Sequence, residues 1–337
     1  MIVFLSIIGL LAAFVGDLHP YAADRQTRAG PKSNTMRLER SVEAMGTTFV
    51  IEIYGTDEHL MQAAADQAFA EVRRVDEMLS NYVPGTELSR VNECAGKTPV
   101  KVSREFFDLL KACDRYSRES NGTFDITVGP LMKIWGFYKG SGRLPSSGQV
   151  RVALDDVGYQ NLELDPRNSM VRFRKPGVNL DLGGVGKGYA VDRMVAVLLK
   201  NGIDSALVSA GGSSIFGIGI PPNDPRGWDI RVRDPKEENK TAAEVYLKNT
   251  SISTSGSYEK FFWASGKLYS HIMDPRTGYP SEGVLSVSVI SPRTLDSEIW
   301  AKPYYILGAA WTERHKPKEF RVLMCEDKPG TSCAWLP

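Results

Sequence analysis

Apolar residues recur at two different periods along this chain, and the order in which the periods change limits the architectures open to it. TTFVIEIYG, Thr47 to Gly55, alternates and is rich in β-branched residues, which predicts a strand. From Glu58 to Ser80 the period becomes helical, with Leu60, Ala64, Ala65, Ala68, Phe69, Val72, Val75 and Leu79 on one side. Ser103 reads as the N-cap of a second helix that carries Phe106, Leu109, Leu110 and Cys113. A third helix is expected over Gly188 to Lys200, stopped by Asn201-Gly202. Short strands follow around Ala206 to Ser209, Ser214 to Ile218, Trp228 to Val232 and Glu244 to Leu247, then Gly283 to Ser291. Ser297 to Leu307 suits a helix interrupted by Pro303. Helices interleave with many short strands without the regular βα period of a doubly wound parallel sheet, in keeping with an α+β fold of mixed or antiparallel sheets. No internal repeat is visible.

At 337 residues with 42% apolar positions the chain can bury a sizeable core, as one large domain or two lobes. A formal net charge of +1 provides no bulk field for a polyanion. Nucleic acid is therefore not an expected partner, and any anion must be held by a local site. The run IVFLSIIGLLAAFV, Ile2 to Val15, is short of the ~20 residues that span a bilayer and has the length of an export signal. It lacks a basic n-region, and Tyr21-Ala22-Ala23 is an imperfect cleavage signal, so residues 1–23 read as an export signal or as an uncleaved N-terminal anchor. A polar, turn-rich linker is expected over 24–40, a folded body over 41–324 and a tail over 325–337. Of the four cysteines, Cys94 and Cys113 are isolated, and no metal spacing is present. Cys325 and Cys333 either pair, as export would favour, or remain free thiols.

Several segments have the composition of a binding site. NLDLGGVGKGYAVD, Asn179 to Asp192, crowds glycines at 183, 184, 186 and 188 and opens into a helix. Glycine lets backbone N–H groups approach a ligand and a helix N-terminus favours negative charge, so this is either a phosphate site, with Lys187 adding a point charge, or a tight turn. SAGGSSIFGIG, from Ser209, is a second glycine-rich turn or a place where strand backbones pack closely. NGTFDITVGPLMKIWGF, Asn121 to Phe137, can wall a flat ligand or line a core, and SISTSGSYEKFF, Ser251 to Phe262, is rich in hydroxyls. SHIMDPRTGYP sets His271 in a shaped loop, where an imidazole can shuttle protons near neutral pH.

Taken in order with AMGTTF and LSNYVPGTELSRVN, and with ALVSAGGSS between the glycine cluster and the hydroxyl-rich segment, these motifs closely resemble the ApbE family of FAD:protein FMN transferases. The resemblance runs from about Ser41 to Gly308. It implies an ApbE-like, T-fold-like arrangement of sheets and helices around a central flavin cleft. It also implies an exported enzyme, periplasmic or anchored to the inner membrane, that binds FAD and Mg²⁺, joins FMN through a phosphodiester to a threonine of a partner flavoprotein, and releases AMP. By that resemblance Met45 and Tyr82 meet the flavin end, and Thr123, Phe124 and Asp125 form another wall. Asp181, Lys187 and Ile272 approach the rest of the nucleotide, His271 is the base, and Asp274 and Thr277 hold its loop.

The resemblance breaks at the metal site. The family carries a segment like DALATALFVLG, with an acidic ligand and a threonine four residues later. Aligned without gaps, SEIWAKPYYILG puts Glu298 at the acid and Lys302 at the threonine, on one helical face. Glu298 can still offer a carboxylate and Gly184 a carbonyl, but a protonated Lys302 cannot ligate a cation and repels one. Asp296 is the alternative acid if the alignment slips. Ser213 and Ser257 also stand where the family places acids, so the pocket is expected to be more positive than usual. Two other functions use the same site: holding FAD without transfer, and hydrolysing FAD to FMN and AMP with water as nucleophile.

Overall fold

A computed structural model describes residues 34–337 apart from 141, 238 and 329–332. The N-terminal apolar run lies outside the described residues. Eight strands form one sheet in chain order: β1 (Met36–Ala44), β2 (Thr47–Gly55), β3 (Ala206–Ala210), β4 (Ser214–Ile218), β5 (Thr250–Gly256), β6 (Val284–Ser291), β7 (Arg321–Glu326) and β8 (Cys333–Trp335). Every neighbouring pair is antiparallel.

Alternation along these strands builds a layer on each side of the sheet. Phe49, Ile51 and Ile53 of β2, Phe216 and Ile218 of β4, Val287 and Val289 of β6, and Val322 and Met324 of β7 belong to the main core. Three helices supply the rest of that layer: α1 (Glu58–Leu79), α2 (Gly186–Lys200) and α3 (Thr294–His315). The intervening residues Ile215, Ile252, Ile290 and Leu323 face a smaller core, closed by the hairpin of Trp228–Arg233 and Thr241–Leu247. The helices over Arg104–Glu119 and Glu87–Cys94, and a three-stranded sheet around Met170–Phe173, extend the main core beyond the first strands. The expected α+β class with antiparallel sheets is what the chain adopts.

Local signals explain most boundaries. Asp57 caps α1 by accepting from Leu60 N at 3.0 Å, and the apolar stripe runs through Met61, Ala64, Ala65, Ala68 and Phe69. Leu60, expected on that stripe, is on the solvent side instead. Ser103 is the N-cap of the Arg104–Glu119 helix, as its place in the sequence suggested. α2 starts at Gly186, one half-turn ahead of the expected Gly188.

Three expectations change. β1 begins at Met36, so the residues just before Ser41 are sheet rather than linker. Cys325, within β7, pairs across strands with Cys333 of β8, so the expected tail is a sheet edge carrying a disulfide. Pro303 does not interrupt α3; the break falls at Gly308, whose φ of 74° is left-handed. The helix before it is buried against β5, β6 and α2, and that packing tolerates the missing N–H of Pro303.

Candidate functional site

One end of the sheet opens into a cleft of about 1090 Å³. The β1–β2 turn, the β3–β4 turn and the C-terminal end of β5 form its floor, and the N-terminus of α2 points into it. Segments 121–138 and 258–275 supply the walls. Met45, Tyr82, Thr123, Phe124, Asp125, Asp181, Gly184, Lys187, His271, Ile272, Glu298 and Lys302 all line this one space.

Met45 and Gly46 both have positive φ, 53° and 70°, so they form a tight two-residue hairpin turn that twists with its strands. The turn is fixed by Met45 N donating to Asp76 Oδ2 at 2.9 Å. The Met45 side chain lies over Gly186, where an added Cβ would stand 2.6 Å from its Cε. Tyr82 is 72% exposed at the mouth, with its hydroxyl on Tyr138 O at 3.1 Å and its ring 5.4 Å from the Tyr138 ring. These two tyrosines form an open aromatic face suited to a flat ring. Partial desolvation and the nearby Asp181 move both phenols above their usual value, so both are protonated donors at neutral pH.

Thr123, Phe124 and Asp125 line the cleft, but their polar atoms are turned into the fold. Thr123 Oγ1 donates to Ser120 O at 2.8 Å, and the Phe124 ring sits edge-on to Tyr116. The Asp125 carboxylate accepts from Thr127 N, Thr127 Oγ1 and Tyr159 N at 2.8, 2.7 and 2.6 Å. Burial nevertheless pushes its pKa up to about 6. This residue lines the cleft while its carboxylate braces its own loop. Asp181 is clamped through its backbone: its N–H donates to Ile126 O at 2.7 Å, and Asn92 holds Leu180 from both sides, at 2.7 and 3.0 Å. Asn92 was not singled out in the sequence, since an asparagine within a helix gives no signal of a distant clamp.

His271 stands where the hairpin of Phe261–Ala264 and Lys267–Ser270 returns to the cleft. Its Nδ1 lies 3.1 Å from Lys260 O. A carbonyl only accepts, so in the neutral ring Nδ1 carries the hydrogen and Nε2 keeps its lone pair. Burial, then the nearby Lys260 ammonium, lowers its pKa to about 4, so the ring is neutral at pH 7. Below it the loop is locked by Asp274, which accepts from Arg276 N at 2.9 Å and pairs with its guanidinium at 2.8 Å. Thr277 Oγ1 reaches Asp274 O at 3.4 Å, and Trp135 Nε1 donates to Gly278 O at 2.9 Å. Asp274 and Thr277 thus hold the loop, as the resemblance implied.

At the inner end α2 and α3 meet closely. A Cβ on Gly188 would stand 2.6 Å from Thr294 O and 2.7 Å from Glu298 Oε2, and Gly188 N donates to that carboxylate oxygen. Lys187 donates to Ser213 Oγ in the β3–β4 turn. Glu259 and Lys260 also line this region and were missed among the hydroxyl-rich residues around them. Asp296, the alternative acid, is absent from the cleft lining: Arg293 grips it at 2.8 Å with both nitrogens, and Tyr116 donates to it.

The ApbE family model matches residues 45–322. The chain belongs to the ApbE family. A relative named FAD:protein FMN transferase from Klebsiella pneumoniae is 32% identical over 272 residues, covering 80% of this chain and 82% of the relative. One of the same name from Escherichia coli K12 is 32% identical over 300 residues, covering 86% and 84%. The crystal structure of an ApbE protein from Thermotoga maritima aligns with a TM-score of 0.80 at 29% identity, covering 89% of this chain and 96% of that one. The apo form of the Pseudomonas stutzeri flavinyl transferase ApbE aligns at 0.78 and 26% identity, covering 89% and 94%.

Within this ApbE chain the magnesium expectation meets a poor donor set. Glu298 already accepts from Gly188 N, and its Oε1 lies 4.0 Å from Lys302 Nζ. The Lys302 stem rests on Gly184, with Cε 2.9 Å from where a Cβ on that glycine would stand. Among the described residues, no group of three or more His, Cys, Asp or Glu side chains is placed to hold a metal ion. One engaged carboxylate beside an ammonium does not fit a divalent cation that takes several oxygen ligands.

Proposed function

We propose that the protein is an FAD:protein FMN transferase, moving FMN from FAD to a hydroxyl, by resemblance that of a threonine, on a partner flavoprotein and releasing AMP. One observation carries the reading: the neutral His271, the N-terminus of α2 with Lys187, and the Tyr82–Tyr138 face open into the same cleft. These are a proton acceptor, an anion site and a flat-ring site.

The residues divide the work by their chemistry. Tyr82 and Tyr138 offer a face for the isoalloxazine ring, and Met45 closes the floor beside Gly186. The α2 N-terminus, with no side-chain cap, and Lys187 meet the negative pyrophosphate. The acceptor hydroxyl oxygen forms a bond to the phosphorus on the FMN side, and the bond from that phosphorus to the bridging oxygen breaks, so AMP leaves with that oxygen. The hydroxyl proton passes to Nε2 of His271. No step is routed through magnesium, because the donor set does not fit it.

The proposed location is an oxidising compartment outside the cytoplasm. The Cys325–Cys333 bridge and the apolar run at Ile2 to Val15 support it. Product analysis tests the activity. The full chain is incubated with FAD and a flavoprotein acceptor, and the acceptor is weighed by mass spectrometry. Covalently attached FMN supports transfer; free FMN with AMP makes the protein a hydrolase, and unchanged FAD makes it a binder.

A further inference from the structure

Lys302 has a place in the cleft that the proposed reaction does not yet use. It lies on α3 with its side chain only 22% exposed, and its Nζ donates to the Glu298 carbonyl at 2.8 Å. Its stem lies against Gly184, with Cε 2.9 Å from where a Cβ on that residue would stand. That bond and this packing place the ammonium inside the cleft.

The neighbouring charges define what this group faces. Lys187, Lys260 and Lys302 all act on His271, and Glu259 feels the same three ammonium groups together with Glu298. Counted over the whole lining, five Lys or Arg side chains face five Asp or Glu side chains, so the cleft carries no net formal charge. Part of the Glu298 charge is further taken up by Gly188 N in the first turn of α2. The inner end therefore owes its positive face to where Lys187 and Lys302 stand, not to a net charge of the cleft. In low dielectric an ammonium acts on a nearby phosphate far more strongly than it does in water.

We infer that the fixed ammonium of Lys302 replaces a bound divalent cation at the pyrophosphate site, so that this chain holds a dinucleotide diphosphate without a metal ion. The inference rests on the transferase reading for the identity of that ligand. An ammonium offers three donors and one charge at no cost of stripping water from an ion, but it cannot gather oxygens of several phosphates into one coordination shell. It therefore suits binding and charge compensation more than tight orientation of the reacting atoms.

Flavin affinity, read by fluorescence titration of the full chain, tests this without measuring transfer. Parent protein is expected to bind FAD within about twofold the same in EDTA and in millimolar Mg²⁺. Lys302→Met keeps the stem and removes the charge; FAD affinity in EDTA should fall about tenfold or more, the size of one charge-assisted contact. Its affinity for riboflavin, which has no phosphate, should match the parent and so show that the cleft is intact. Lys302→Arg should recover much of the FAD affinity. A parent whose FAD affinity drops tenfold in EDTA overturns the inference while leaving the transferase reading in place, and so does a Lys302→Met variant that binds FAD like the parent. If riboflavin affinity falls together with FAD affinity and Lys302→Arg restores neither, Lys302 merely supports the fold and the inference fails. A parent that binds no FAD in either buffer overturns the transferase reading itself.

Discussion

Replacing His271 by alanine isolates the proton acceptor from the rest of the cleft. The imidazole hydrogen-bonds only to a backbone carbonyl, and a pKa lowered to about 4 leaves about one ring in a thousand protonated at pH 7. Almost all of the enzyme is thus ready to accept a proton, and losing the acceptor should slow transfer by about 10²–10⁴-fold, or about 2.7–5.5 kcal/mol of barrier. FAD affinity should change little, because no phosphate-facing charge is removed. A single-turnover assay follows flavin fluorescence on the acceptor after gel separation. The pH profile adds a second check with a definite sign. The neutral ring is the active form, so kcat/KM should hold as pH falls through 6.5 and decline only near 4. A bound polyanion favours the imidazolium, which moves the corresponding limb of kcat upward. Stability follows the same linkage: the unfolded chain binds the proton more readily, so stability falls as pH drops from about 6.5 toward 4 and is unaffected by this group above that window. Transfer by the alanine variant at more than a third of the parent rate would refute the assignment. A kcat/KM limb at 6.5 would show that the ring is hydrated rather than buried.

Gly188→Ala forces a Cβ against Thr294 O and Glu298 and should lower stability by about 1–3 kcal/mol, read as a reduced urea midpoint. Asp192 accepts from Thr294 N and Leu295 N at 2.7 and 3.0 Å and so caps α3 from the side of α2. Asp192→Ala should cost about 1–3 kcal/mol because two partly buried N–H groups lose their acceptor; an unchanged melting curve would mean that water replaces it. Tyr82→Ala should weaken FAD and riboflavin alike, by about 1 kcal/mol or fivefold, whereas a loss confined to FAD would place Tyr82 at the phosphates instead.

The central strands and long helices were readable because each shows one face to a core and one to something else. Residues 47–55 alternate cleanly, and the stripe of α1 runs through nine buried residues that a helical period connects. Both strands missed outright at the rims, β1 and β8, are edges. β1 reads MRLERSVEA: its outward residues are charged, Arg37 pairs with Glu52, and Arg40 with Asp66. Charge on an edge prevents pairing with another chain, and it also makes the segment resemble a linker. β8 is short and contributes only Cys333–Trp335, its register fixed by a cross-strand disulfide that residue spacing alone left open. Pro303 misled in the opposite direction, since a local rule about lost hydrogen bonds gave way to burial on several sides.

At the site, residue type located the right positions but did not tell which atoms were free. Asp125 and His271 were both read as groups facing the ligand, and both line the cleft. The difference between them arises from loop closure far along the chain. Tyr159 N, 34 residues away, joins Thr127 in occupying the Asp125 carboxylate, whereas His271 meets only the carbonyl of Lys260 and keeps Nε2. The same reasoning decides between Glu298 and Asp296, separated by two positions on one helix. Arg293 and Tyr116 bind Asp296 outside the cleft, and the N-terminus of α2 draws Glu298 inside it. A carboxylate already paired with backbone N–H and an ammonium is a poor ligand and a good anchor. Glu298 and Lys302, one turn apart on α3, therefore act on each other first: the Lys302 Nζ donates to the Glu298 carbonyl at 2.8 Å and lies 4.0 Å from its carboxylate.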